Sequence, residues 1–318
     1  MISLQDVYAA RDRIRPFIYR TPLAQSEEIN AALGASAYLK LENLQVTNAF
    51  KIRGSSNRIL QLTDEEKARG VITASSGNHA QGFSCAARNA GIDAVVVMPV
   101  AAPKNKIERC RNYGARVILH GECYDDCVRH AKGLCEKEKR VYIPSFDDEQ
   151  VIAGNGTVAL EIFDDLADCD VIFAPIGGGG LTSGVGFVTK TLHPHVQVIG
   201  VEAAGAPKMS TSLRLGKVNE LETISTVADG IAVKAPGRLN FEYVRQFIDK
   251  IVLVTDEEMI SALNEIWAKF KVVVEVAGAA SLAAAIKCAG EIAGKKAVCI
   301  VSGGNVDKDD YVKYLKAR

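Results

Sequence analysis

Short apolar runs recur along this chain, each closed by a polar or glycine-bearing turn and followed by a stretch of helical period, and this alternation leaves few folds open. Val71-Ile72-Thr73-Ala74 leads into a turn and an apolar-periodic helix that reaches Ala90. Residues 94–99, 116–119 and 141–143 read as further strands, separated by helices predicted over 104–113 and 124–139. The pattern resumes at 171–174, 196–202, 251–254 and 296–301, with a helix predicted over 256–270. Strands that alternate with helices pair in parallel, and runs that are apolar at every position need cover on both faces. The expectation is an α/β protein with two open twisted sheets flanked by helices. A chain of 318 residues is also too long for one ordinary core. Residues 64–146 read as a compact small domain, and 1–63 with 147–318 as a large one.

Charge and cysteine usage narrow the partners. Lysine plus arginine and aspartate plus glutamate each number 38, so the net charge is zero. Such a balance offers no electrostatic handle for nucleic acid or an anionic membrane. No apolar stretch approaches the roughly 20 residues of a membrane span. The first twenty residues contain Asp6, Arg11, Asp12, Arg13 and Arg15, unlike the apolar middle of a secretory leader. The eight cysteines are scattered without a CxxC pair and read as reduced thiols in a cytoplasmic protein. Cys123 and Cys127 could share a helix face, and His120 and His130 join them as zinc candidates by spacing only. Trp267 reads as a core residue of an amphipathic helix, and His193 and His195 as solvated loop residues flanking Pro194. Glu275, an acid in an apolar run, needs a buried partner and is a candidate for a pocket wall.

Four segments carry chemistry. Lys51 sits among apolar neighbours in Thr47-Asn48-Ala49-Phe50-Lys51-Ile52-Arg53-Gly54. Burial lowers a lysine pKa toward the neutral amine that can attack a carbonyl. The other three segments follow strands, where open parallel sheets bind ligands. Ser75-Ser76-Gly77-Asn78-His79 opens a helix and suits a carboxylate, although serine and asparagine are also ordinary helix caps. Gly177-Gly178-Gly179-Gly180-Leu181 can wrap a phosphate through bare N–H groups. It comes late for a dinucleotide fingerprint and lacks the Gly-Lys-Ser/Thr ending of a nucleotide loop. Ser302-Gly303-Gly304-Asn305 follows the last strand; its hydroxyl could face a ring nitrogen, or the segment could simply be a turn. A buried amine together with a backbone phosphate cradle suggests pyridoxal 5'-phosphate, which has an aldehyde at one end and a phosphate at the other.

Taken in order, NAFKIRG, SSGNH, GGGGLTSG, VADGIAV and SGGNVD resemble the fold-type II pyridoxal-phosphate enzymes, within them the threonine/serine dehydratase (threonine ammonia-lyase) and serine racemase family. The similarity spans Arg20-Thr21-Pro22-Leu23 to Asp307 and implies the tryptophan synthase β-like architecture. By that resemblance Lys51 is the Schiff-base lysine, Phe50 lies beside the cofactor ring, and Asn78 meets its phenolic oxygen. Gly177, Gly178, Gly179, Gly180 and Leu181 hold the phosphate, and Ser302 faces the pyridine nitrogen. Ser75, Ser76, Gly77, Asn78 and His79 hold the substrate carboxylate. A homodimer is also implied.

The implied activity is α,β-elimination from L-threonine or L-serine, giving a 2-oxo acid and ammonia, with Lys51 as general base. Ser76 keeps a second activity open. In the resemblance, a serine on the opposite ring face is the second acid/base of racemases, though dehydratases carry it too. A serine or related amino-acid racemase, alone or bifunctional with dehydratase activity, is therefore the alternative. A non-catalytic binding protein would need neither Lys51 nor Asn78, and a dinucleotide oxidoreductase would show an early GxGxxG. Three departures stand out. Asn48-Ala49 replaces Gly-Ser, and Pro144-Ser145-Phe146 replaces His-Pro-Phe. At the family's divalent-metal site Glu202 and Ala206 match, but the last position is Lys208, whose amine opposes a divalent ion. No metal is expected.

Overall fold

The computed structural model describes residues 1–317. Ten strands form two sheets: β1 Leu23–Gln25, β2 Ser36–Leu41, β3 Val71–Ala74, β4 Ala94–Met98, β5 Arg116–Leu119, β6 Val141–Tyr142, β7 Val171–Pro175, β8 Gln197–Ala203, β9 Lys250–Val254 and β10 Lys296–Val301. The larger sheet runs β1-β2-β10-β7-β8-β9 and the smaller β5-β4-β3-β6. Every pairing is parallel except β1 with β2. The α/β class and the two helix-flanked sheets foreseen from the alternation are those of the structure.

The uninterrupted apolar runs are explained by β10 and β7. Ala297, Cys299 and Val301 of β10, with Val171 and Phe173 of β7, enter one core with the helices Asp256–Phe270 and Val276–Lys287. Their alternates Val298, Ile300, Ile172 and Ala174 enter the core on the opposite face, under the helices Glu149–Asp165 and Gly180–Leu192. In the smaller sheet, Val71, Val96 and Met98 face one cluster and Ile72, Val95 and Val97 the other. Alternate side chains of a strand point to opposite faces, so both must be apolar when both are covered.

The helix Lys51–Leu60 lies where the two halves meet, packed against the helices Asn78–Asn89 and Glu149–Asp165. Glycines permit the approach. A Cβ on Gly82 would stand 2.9 Å from the Ile52 nitrogen, and one on Gly154 2.7 Å from the Arg53 carbonyl oxygen. A closed charge network anchors the same helix. The Arg53 guanidinium donates to both Glu42 oxygens (2.7 and 2.8 Å) and both Glu161 oxygens (2.7 and 2.9 Å). Lys40 Nζ donates to Glu161 (2.7 Å) and to the Thr21 carbonyl (2.7 Å), while the Thr21 hydroxyl donates to Glu42 (2.5 Å). Two cations and two anions are thus balanced out of solvent.

Candidate active site

A cavity of about 920 Å³ opens between the two sheets. It is lined by Phe50 and Lys51, by Ser75, Ser76, Gly77, Asn78 and His79 after β3, by residues 177–181 after β7, and by Ser302 after β10. Loops that are remote in sequence converge because these parallel strands deliver their C-terminal ends to one edge.

Lys51 is the first residue of its helix. Its Nζ donates to the Ser145 carbonyl at 3.0 Å and lies 5.1 Å from the Phe50 ring centroid. Burial draws the amine down from 10.5 to about 8, against the opposing charge of Glu275. The lysine is held from behind: the Phe50 N–H donates to the Ser302 carbonyl at 3.1 Å, and Ala49 bridges Gly303. Asn48 takes a left-handed φ of 55°, which asparagine tolerates, and its carbonyl accepts from the Gly304 N–H at 2.8 Å. The Asn48-Ala49 pair therefore ties the lysine segment to the loop after β10.

Asn78 is fixed by a polar chain that the sequence did not expose. Its Nδ2 donates to Glu275 Oε1 at 2.7 Å, and its Oδ1 accepts from Asn305 Nδ2 at 2.8 Å. The Asn305 N–H donates to Glu275 Oε2 at 3.2 Å, and Arg109 Nη1 donates to Asn305 Oδ1 at 2.7 Å. With the amide orientation set, one Nδ2–H is left for a ligand. Burial pushes the Glu275 carboxyl up to about 6, against the N–H bonds it accepts. Glu275 therefore has its partner, and it lies in the cavity wall. Gly303 allows this crowding: a Cβ there would stand 2.7 Å from Glu275 Oε1.

The glycine loop is braced from outside. Asn240 Nδ2 donates to the Gly178 carbonyl at 2.9 Å and to the Phe146 carbonyl at 3.2 Å, and the Gly237 N–H also donates to Gly178. A Cβ on Gly178 would lie 2.4 Å from the Phe146 ring, so only glycine fits. Among the described residues, no N–H of Gly177, Gly178, Gly179 or Gly180 donates to a protein acceptor. Leu181 is buried beside the loop.

A family model described as "Pyridoxal-phosphate dependent enzyme" matches residues 14–303. The chain belongs to that family. It is 46% identical over 307 residues to the L-threonine ammonia-lyase of Thermotoga maritima, a match covering 96% of this chain and 76% of the relative. Among solved structures, a processed threonine deaminase isoform from Solanum lycopersicum superposes with a TM-score of 0.94 at 36% identity, covering 99% and 89% of the two chains. Maize serine racemase superposes with a TM-score of 0.93 at 35% identity, covering 98% and 96%.

The residues present fit pyridoxal phosphate, the cofactor of this family. Four unpaired N–H groups suit a phosphate, a buried amine near neutrality suits an aldehyde, and the free Asn78 N–H suits a phenolic oxygen. His79 is a different matter. Its ring is buried, with Nε2 3.0 Å from the Thr73 hydroxyl and Nδ1 3.4 Å from that of Ser55. Burial, aided by the Lys51 charge, drops this imidazole to about 3, so it stays neutral. Only its main chain is free to serve a carboxylate at the helix start.

A divalent ion does not fit at Glu202 and Ala206. Lys208 Nζ lies 3.3 Å from Glu202 Oε1, and both side chains are fully buried. The carboxylate also accepts from the Met209 and Ser210 N–H groups (2.8 and 2.9 Å) and the Ser210 hydroxyl (2.7 Å). Burial lowers the Lys208 ammonium, with Glu202 opposing.

The remaining candidates separate from the site. The His120 and His130 rings stack at 3.8 Å, and Cys127 faces the His120 carbonyl; no metal-binding cluster exists among the described residues. Trp267, read as core, is instead 37% exposed and meets Tyr311 edge-on. Its helix buries the stripe Met259, Ala262, Leu263 and Ile266, which turns the next position outward. His195 is exposed, whereas His193 stacks on Phe163 at 4.0 Å. Ser145, Asn240 and Asn305 were missed, because their roles run through backbone groups or through partners more than 90 positions away.

Proposed function

We propose that the chain removes ammonia from L-threonine or L-serine, releasing the corresponding 2-oxo acid. The carrying observation is a single cavity that holds the Lys51 amine, poised at about 8, the Ser75-Ser76-Gly77-Asn78 loop at a helix start, and four unpaired glycine N–H groups. The threonine-directed names of the relatives support this reading. The helix start binds the substrate carboxylate, and Asn78 orients the ring. Neutral Lys51 takes the α-proton, near the pKa at which a general base works best at neutral pH. When bound, the cofactor supplies the electron sink for the pair left behind. The Phe50 and Phe146 rings flank Nζ at 5.1 and 6.0 Å.

Ser76, in the cavity wall, favours a second reading, racemisation of the same substrates. Incubation with L-serine and L-threonine, with 2-oxo acid and D-enantiomer measured together, tests both. Accumulation of neither product refutes the proposal. Ser76→Ala should abolish D-enantiomer formation and spare elimination; loss of both would overturn the role given to Ser76. Residues 64–146 are proposed to move as a small domain against the rest, since β3 to β6 form a sheet of their own. Eight unpaired cysteines support a cytoplasmic setting, and no helix among the described residues is long and apolar enough to cross a membrane. A homodimer is proposed from the resemblance.

A further inference from the structure

The disagreement at Glu202 has a positive side. Lys208 Nζ meets three acceptors: the Ile176 carbonyl at 2.6 Å, the Ile231 carbonyl at 3.1 Å and Glu202 Oε1 at 3.3 Å. These come from three separate segments. Ile176 immediately precedes the glycine loop. Ile231 belongs to the turn Asp229–Ile231, whose Gly230 carbonyl would lie 3.3 Å from a Cβ on Gly177. Glu202 is in β8 and caps the start of the helix Lys208–Leu215 through the Met209 and Ser210 N–H groups. Glu202 Oε1 also accepts from the Met209 N–H and the Ile231 carbonyl from the Val233 N–H, whereas the Ile176 carbonyl has no other donor among the described residues. Nζ donates to the two carbonyls and stands beside Glu202 as an ion pair; a neutral amine could make the two hydrogen bonds but would leave the fully buried carboxylate without its countercharge. Nζ is thus bound as a small cation would be, by two carbonyls and a carboxylate, but on a tether of the protein's own.

We infer that Lys208 is a positioning residue, a built-in cation that sets the glycine loop for the cofactor phosphate and makes this enzyme independent of any inorganic ion. Its side chain lies outside the cavity lining. It holds the carbonyl behind Gly177 against the turn carrying Gly230, and so aims the loop's N–H groups into the cavity. The tether gives Glu202 a cation of the protein's own, while the Ala206 carbonyl is taken up by the Lys208 N–H.

The inference rests on reading the glycine loop as the phosphate cradle, so the test includes a measurement that does not depend on the cofactor. Wild-type holoenzyme, stripped of ions by chelation and dialysis into an organic-cation buffer, is titrated with magnesium, potassium and ammonium. Melting temperature and cofactor absorbance should not change. Lys208→Ala opens a cation-sized space between the three acceptors, and Lys208→Met fills it without charge. Loss of charged hydrogen bonds of this kind predicts roughly a tenfold to hundredfold weaker cofactor affinity in both variants. Ammonium or potassium should restore Lys208→Ala, raising both cofactor affinity and the melting temperature of the cofactor-free protein, and should leave Lys208→Met unchanged. A wild-type response to magnesium overturns the inference, as does normal cofactor affinity in either variant or equal insensitivity of both variants to every cation. Should neither variant fold, the wild-type titration decides alone. Should no sample bind the cofactor, the fault lies with the cradle reading, and cation rescue of the melting temperature still reports on Lys208.

Discussion

Replacing Glu161 with glutamine should be among the most damaging single changes outside the cavity. Glu161 receives three charged hydrogen bonds, from Arg53 Nη1 (2.7 Å), Arg53 Nη2 (2.9 Å) and Lys40 Nζ (2.7 Å). Lys40 and Arg53 are fully buried, so neither cation can turn to water when the anion is removed. The network of Lys40, Arg53, Glu42 and Glu161 would pass from neutral to a net charge of one. Breaking a buried ion network from one side costs about 3–5 kcal/mol. At about 2–4 °C per kcal/mol for chains somewhat shorter than this one, that is roughly 6–20 °C in melting temperature. Calorimetry and urea unfolding measure it. Burial alone would raise the Glu161 carboxyl, but Arg53 and Lys40 hold it below its ordinary 4.5. A lowered folded-state value means that the contribution is present above 4.5 and lost as pH falls through the folded value, so Glu161→Gln should also flatten the acid side of the stability curve. The paired replacement Lys40→Met with Glu161→Leu restores neutrality and should cost less than Glu161→Gln alone. A single variant within about 1 kcal/mol of wild type, or a double variant worse than the single, would refute the reasoning.

Three further outcomes follow from the cavity. Lys51→Met should abolish turnover yet raise the melting temperature of cofactor-free protein at pH 7. The folded amine titrates near 8 rather than 10.5, so wild-type stability rises with pH between those values and the buried ammonium weighs against folding below them; no gain at pH 7 contradicts this. Gly178→Ala puts a Cβ 2.4 Å from the Phe146 ring, and displacing that ring should cost about 1–3 kcal/mol, read as weaker cofactor binding by fluorescence titration; unchanged affinity counts against the close approach. Glu275→Gln should erase the acid limb near pH 6 from the kcat/KM profile, since burial places that carboxyl at about 6; a limb persisting there assigns the titration to another group.

Most strands were legible because a strand covered on both faces is apolar at nearly every position: β4 and β7 are so throughout, and β3, β8 and β10 depart from it only at Thr73, at Gln197 and Glu202, and at Lys296. β2 escaped notice: Ser36-Ala37-Tyr38-Leu39-Lys40-Leu41 looks amphipathic, yet Lys40 is fully buried because Glu161, 121 positions away, receives it. β1 is too short to announce itself and is defined only by its antiparallel pairing. In the site, Lys51 and Asn78 could be picked out from their motifs, and both line the cavity. His79 was read as a carboxylate holder from its place in a motif, but whether a ring faces the cavity or the core depends on Thr73 and Ser55, which no spacing rule connects to it.

The glycine-lined crossing of the helix Lys51–Leu60 has a mechanical corollary. Because Gly82 on one side and Gly154 on the other press against its first turn, that turn would be the fulcrum of the proposed movement of residues 64–146 against the rest. Displacement grows with distance from a fulcrum. The amine would therefore stay nearly still while the loop bearing Ser75 to Asn78, out on the arm, sweeps toward it, letting the protein open for an amino acid without loosening its grip on the reactive nitrogen.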